Sequence, residues 1–277
     1  MAFLLGSMDV SSHEFDQAIA LQQQADGSFA GHTSAAYANM VGPFGGISAA
    51  QMMNAVLLHP QRLGDPVALT VNFAAALQDG AFRIEAVPVR TNRSTQHWTL
   101  SLCQQDEILM TGTAITAVRR ETWGVDDEMM PDAPAPEEVP TGQGPVPMEW
   151  IKRYEIRPFV GAIPRIWDGS GDNSLSRLWL RDNPPRPLDF ASLAALADVF
   201  FPRVFVRRAT LVPIGTISLS VYFHASEADL RATGDGYLLG QARAKAFRNG
   251  YFDQAGELWS ERGELLAVTH QIVYFKE

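Results

Sequence analysis

Asp198 stands in the run Ala194-Ala195-Leu196-Ala197-Asp198-Val199-Phe200-Phe201, where every neighbour is apolar. A carboxylate in such company loses hydration worth about several kcal/mol unless hydrogen bonds or water replace it. Burial also raises its pKa toward the range of a general base. Two other polar side chains sit where they could serve that base. Gln271 lies on the strand face shared by Leu265, Ala267, Thr269, Val273 and Phe275, and an amide there must find partners to which it can donate and from which it can accept. Thr216 opens a strand pattern on the side opposite Ile217, with a hydroxyl able to donate to Asp198 or to a water. A carboxylate, an amide and a hydroxyl around one water would make a hydrolytic site.

The elements that must carry these groups occur twice. In the first half the apolar run Gly45–Leu58 reads as a helix stopped by His59-Pro60, and its lack of a polar face implies that it is enclosed. Strands follow at Val67–Phe73, Phe82–Val89, Trp98–Leu102 and Ile108–Val118. In the second half strand patterns at Trp150–Phe159 and Arg177–Arg181 precede a helix over Ala191–Phe201. Strands then follow at Ile217–Phe223, Tyr237–Phe247, Tyr251–Trp259 and Leu265–Phe275. Thr70-Val71-Asn72-Phe73 holds the same place in its unit as Ser220-Val221-Tyr222-Phe223 in the other. The fold class expected is α+β, each unit a helix wrapped by an antiparallel sheet. Only the second unit has the acid: the first helix carries Met52, Met53 and Asn54, and its last strand shows Thr113-Ala114-Ile115 near the place of Gln271.

Composition narrows the function. The chain has 277 residues, 46% of them hydrophobic, and a net charge of -9, which argues against nucleic-acid and anionic-membrane partners while leaving room for a local basic pocket. A single cysteine, Cys103, read as a small buried strand residue, excludes a disulfide framework and suits a reducing compartment. The start Met1–Gly6 lacks the basic leader of a signal peptide, and no apolar run is long enough to span a membrane, so a soluble cytoplasmic protein is expected. The six histidines show no metal-ligand spacing. No Gly-X-Ser-X-Gly elbow or phosphate-binding glycine loop is present, so neither a serine triad nor a nucleotide cofactor is expected.

Several motifs in this order resemble the acyl-CoA thioesterase II-like enzymes, which are double hotdog proteins. They are Pro43-Phe44-Gly45-Gly46-Ile47-Ser48-Ala49-Ala50-Gln51, Leu178–Arg181, Asp189-Phe190, Leu193–Asp198, Thr216–His224, Gly256–Trp259 and Gly263–Ala267 with Gln271. The second half departs from the pattern in having Asp189-Phe190-Ala191 where the first has Gly45-Gly46. The resemblance implies an N-terminal hotdog over 10–120, an acidic proline-rich linker over 121–148 and a C-terminal hotdog over 149–277 that carries the site. It implies an acyl-CoA thioesterase of fatty acid metabolism, needing no cofactor or metal and assembled as a homodimer. Asp198, Thr216 and Gln271 would hold the hydrolytic water, and backbone amides at Gly45 and Gly46 would bind the thioester oxygen. The alternative is a non-catalytic acyl-CoA or lipid-binding double hotdog protein. A hotdog hydratase is a weaker reading, since Asp182-Asn183-Pro184 has no histidine after it.

Overall fold

A computed structural model describes residues 13–142 and 148–277. The segment Met1–Gly6, residues 10–12 of the expected first hotdog and residues 143–147 of the expected linker lie outside the described residues. In chain order the first half contains α1 (Glu14–Ala18), β1 (Gln22–Gln23), β2 (Phe29–His32), α2 (Gly45–Leu57), β3 (Asp65–Phe73), β4 (Ala81–Thr91), β5 (Thr95–Gln104) and β6 (Glu107–Ala117). The second contains β7 (Tyr154–Val160), β8 (Ser176–Asp182), α3 (Phe190–Leu196), α4 (Arg203–Arg208), β9 (Ile214–Phe223), α5 (Glu227–Thr233), β10 (Leu238–Arg243), β11 (Phe247–Arg248), β12 (Tyr251–Ser260) and β13 (Leu265–Phe275).

The strands form one antiparallel sheet in the order β1-β2-β4-β5-β6-β3-β9-β13-β12-β10-β8-β7, with β11 on β12. The halves meet at β3 and β9, where Thr70 pairs with Ser220, Leu69 with Val221 and Val71 with Leu219. Thr70 thus pairs with its own counterpart Ser220, and Leu69 and Val71 each pair with the counterpart of the other, so a pseudo-two-fold axis passes beside Thr70 and Ser220. Their hydroxyls are 2.8 Å apart. Outward from this seam the strand orders of the two halves mirror each other. The fold is the expected double hotdog.

Ten residues of α2 between Gly46 and Val56 are buried, because the sheet encloses the helix on one side and α3 packs on the other. Ile47, Met52, Met53 and Val56 meet Leu69, Val71, Trp98 and Leu100 in the main core. No helix among the described residues is long and apolar enough to cross a membrane.

Five sequence expectations differ from the structure. The second helix ends at Leu196 and not Phe201. Pro202 biases Phe201 away from helical backbone, and the buried Arg203 guanidinium takes the Phe201 carbonyl at 2.9 Å, before the chain restarts as α4. The first part of Trp150–Phe159 is a 3-10 turn over Glu149–Arg153. Helix α5 was not expected, although Ser226 and Asp229 cap it reciprocally, a pattern visible in the sequence. The proline-rich segment is more than a spacer. Val139 is buried with Trp179, Tyr237, Leu239 and Trp259, while the Trp179 indole donates to the Pro134 carbonyl at 2.9 Å. Cys103 lies on β5, half-buried rather than fully so.

Candidate active site

Asp198 lies two residues beyond α3, where its amide bonds the Ala195 carbonyl at 3.1 Å and tightens the turn out of the helix. Its carboxylate is turned toward the start of α2, which belongs to the other half of the chain. A β-carbon added to Gly45 would come 2.8 Å from Asp198 Oδ2. The Gly46 amide faces the same carboxylate, and Gln271 Nε2 donates to Oδ1 at 2.8 Å. Burial pushes the Asp198 pKa from 3.8 up to about 7, against the pull of the Gln271 and Gly46 hydrogen bonds. The residue is nonetheless only half-buried, whereas Ala197 and Val199 beside it are completely enclosed. A carboxyl that titrates near neutrality and retains contact with solvent suits a base acting on water.

Thr216 reaches this place through an irregularity in the sheet. Ile272 pairs with Ser218 but Val273 pairs with Thr216, so Ile217 is an extra residue in β9. The bulge reverses the alternation and puts Thr216 on the inner face with Gln271 and Val273. Its hydroxyl donates to Gln271 Oε1 at 3.4 Å, which leaves the amide nitrogen for Asp198. Thr216 thus meets Asp198 through Gln271 and not directly, as one of the two routes open from the sequence had it.

The first half shows the same geometry without the chemistry. β3 carries the matching bulge between Pro66 and Ala68, so Pro66 occupies the place of Thr216. Ala114, opposite Leu69, occupies that of Gln271, opposite Leu219. The amide side chains of α2 are spent on structure, since Gln51 and Asn54 donate at 2.8 Å to the carbonyls of Ala18 and Ile19.

Close helix contact is what brings the start of α2 to Asp198. A β-carbon on Gly46 would fall 2.6 Å from the Ala195 carbonyl oxygen and 2.4 Å from the Phe44 ring. Gly46→Ala is therefore expected to cost about 1–3 kcal/mol. It should also move the helix start off the carboxylate and lower kcat/KM about tenfold, as thermal melts and kinetics on one preparation would show.

Sequence reasoning considered Asp182 only as part of a hydratase-like motif and did not mark it as a second buried acid. Asp182 takes a 2.6 Å hydrogen bond from Ser192, and burial raises its pKa to about 6. Burial raises the Tyr154 phenol far above the ordinary value, with Tyr37, Asp182 and Asp198 adding to the shift. The short alternation Ser176–Asp182 was the available signal, because it puts Asp182 on the buried face with Leu178 and Leu180.

The architecture is that of a double hotdog protein, with the Asp198 carboxylate turned from the end of α3 toward the start of α2. The acyl-CoA thioesterase N-terminal domain matches residues 34–117, and the acyl-CoA thioesterase C-terminal domain matches residues 128–275. The chain belongs to the acyl-CoA thioesterase family. It is similar to a conserved hot dog fold protein of unknown function from Alicyclobacillus acidocaldarius, at 49% identity over 96% of this chain and 99% of that one, with a TM-score of 0.91. The acyl-CoA thioesterase II TesB2 of Mycobacterium marinum has the same fold at 18% identity, over 95% and 98% of the two chains, with a TM-score of 0.75. The tesB protein of Mycobacterium avium subsp. paratuberculosis does so at 19% identity, over 95% and 99%, with a TM-score of 0.76. No match was found among the curated proteins compared with it.

Proposed function

We propose that the protein hydrolyses acyl-CoA to the free acid and CoA with a water activated by Asp198. The observation that carries this reading is the meeting of three elements from distant parts of the chain on one carboxylate whose pKa is raised to about 7. Asp198 takes a proton from water, and the hydroxide attacks the thioester carbonyl carbon. The carbon–sulfur bond then breaks, and the proton passes to the departing thiolate. Gln271 holds Asp198 in one orientation, and Thr216 holds the Gln271 amide. The start of α2 offers the developing oxyanion a positive dipole end and the Gly45 N–H, whereas the Gly46 N–H expected for that role is taken by Asp198. On this reading the protein works in the cytoplasm, in fatty acid metabolism, as a homodimer; light scattering on the pure protein would read the assembly.

A panel of acyl-CoAs of graded chain length with a thiol-reactive reporter tests the activity. Release of free CoA at a rate that rises with pH toward a plateau above about 7 is expected. Acyl-CoA binding with no CoA release would favour the non-catalytic lipid-binding alternative.

A further inference from the structure

A second site lies beyond the catalytic group, where α4 ends near the short strand β11. It is an open pocket of about 570 Å³, within the range of small-molecule sites. Arg207, Arg208, Lys245 and Arg248 line it, with Asp172 as its one carboxylate. Four cations gathered around one pocket are out of keeping with a chain whose net charge is -9. Among the described residues, Lys245 and Arg248 have no ion pair. Arg207 donates to the Gly171 carbonyl, at 2.9 Å, and Arg208 is paired with Glu277 at the rim. Asp253 is occupied by the amides of Lys245 and Ala246, at 3.0 and 2.9 Å.

The walls are built rather than incidental. Arg203, fully buried, donates to the carbonyls of Ser174 and Phe201 at 2.9 Å and to Ser176 Oγ at 2.8 Å. This ties the foot of α4 to the loop before β8. The Ser174 hydroxyl accepts from the Ala244 amide at 3.1 Å and fixes the opposite wall. Position relative to Asp198 follows from the strand register. From Gln271 the ladder crosses to Gln254, runs three residues to Tyr251 and crosses again to Arg248. At ordinary strand spacings that path puts the Arg248 backbone roughly 14 Å from that of Gln271.

We infer that this pocket binds the phosphorylated nucleotide end of CoA. The inference takes its ligand from the acyl-CoA reading above. Acyl-CoA carries its thioester at one end of a flexible pantetheine arm and a diphosphate and ribose phosphate at the other. An arm of that kind is comparable in length with this backbone separation, and clustered guanidinium and ammonium groups match phosphate chemistry. The pocket then holds the substrate by its anionic end while α2 and Asp198 address the thioester.

The test is the double charge reversal Lys245→Glu, Arg248→Glu, with Arg93→Glu as a control for net charge. Both pocket residues are exposed, and a thermal melt checks that the fold is kept. Calorimetry with CoA and with adenosine 3′,5′-bisphosphate reads binding independently of turnover. Affinity for both is expected to fall roughly tenfold or more in the double variant and to hold in the control. The preference of the enzyme for an acyl-CoA over the matching S-acyl-pantetheine, as a ratio of kcat/KM values, should shrink by a similar factor. Unchanged affinity in the double variant overturns the pocket, whether or not hydrolysis occurs. Inorganic phosphate binding as tightly as the bisphosphate also overturns it, because the site would then be one for free phosphate. If the wild type hydrolyses no acyl-CoA yet loses CoA binding on reversal, the pocket stands and the hydrolase reading fails.

Discussion

Asp198→Asn is expected to lower kcat/KM by about 10³-fold, because it removes the base while keeping shape and volume. The Asn oxygen can still accept from Gln271 Nε2, which now meets Asp198 Oδ1 at 2.8 Å, so the fold survives. A stability measurement separates this loss of chemistry from unfolding. The folded pKa of Asp198 is raised by burial from 3.8 to about 7, so the native state favours the protonated acid. Its contribution is therefore complete below about pH 4 and is lost as pH rises through about 7. The full shift corresponds to about 4 kcal/mol, and partial solvent contact reduces that to roughly 2 kcal/mol. The variant lacks this titration. Its stability relative to wild type should improve by about 2 kcal/mol between acid and alkaline pH, as denaturant melts at both ends would show; other titrations cancel in the difference. Retained turnover in Asp198→Asn would remove Asp198 from the mechanism.

Gln271→Ala is expected to lower kcat/KM by about 10²-fold and to move the acid limb of the pH profile upward. The amide now donates to the charged form of Asp198 and holds its pKa below the value burial alone would set. Without that donor the neutral acid is favoured further, and a higher pH is needed to make the base. The loss should appear mainly in kcat, since Gln271 acts on Asp198 and not on the acyl chain. A drop in activity with an unmoved limb would mean that Gln271 only supports packing.

Much of the site was legible because its signals are local. Asp198 among apolar neighbours and Gln271 on an alternating apolar face each announce a buried polar group that must be satisfied. The absence of both from the first half was equally plain, and Ala114 is found in the place that Gln271 holds in the second. Thr216 was harder. Strict alternation puts it on the face away from Leu219, and nothing in Thr216–Phe223 marks Ile217 as an extra residue.

Taken alone, the sequence determined the two enclosed helices, most of the long strands and a carboxylate set among apolar neighbours, since these rest on periodicity and on the cost of burying a charge. The end of α3, the bulge that turns Thr216 inward and the approach of α2 to Asp198 were decided only by tertiary structure. So was the gathering of Arg207, Arg208, Lys245 and Arg248 around one pocket. Each depends on partners far apart in the chain, Gln271 and Asp198 being 73 residues from one another, and pairing across such distances is set by packing rather than by neighbouring residues.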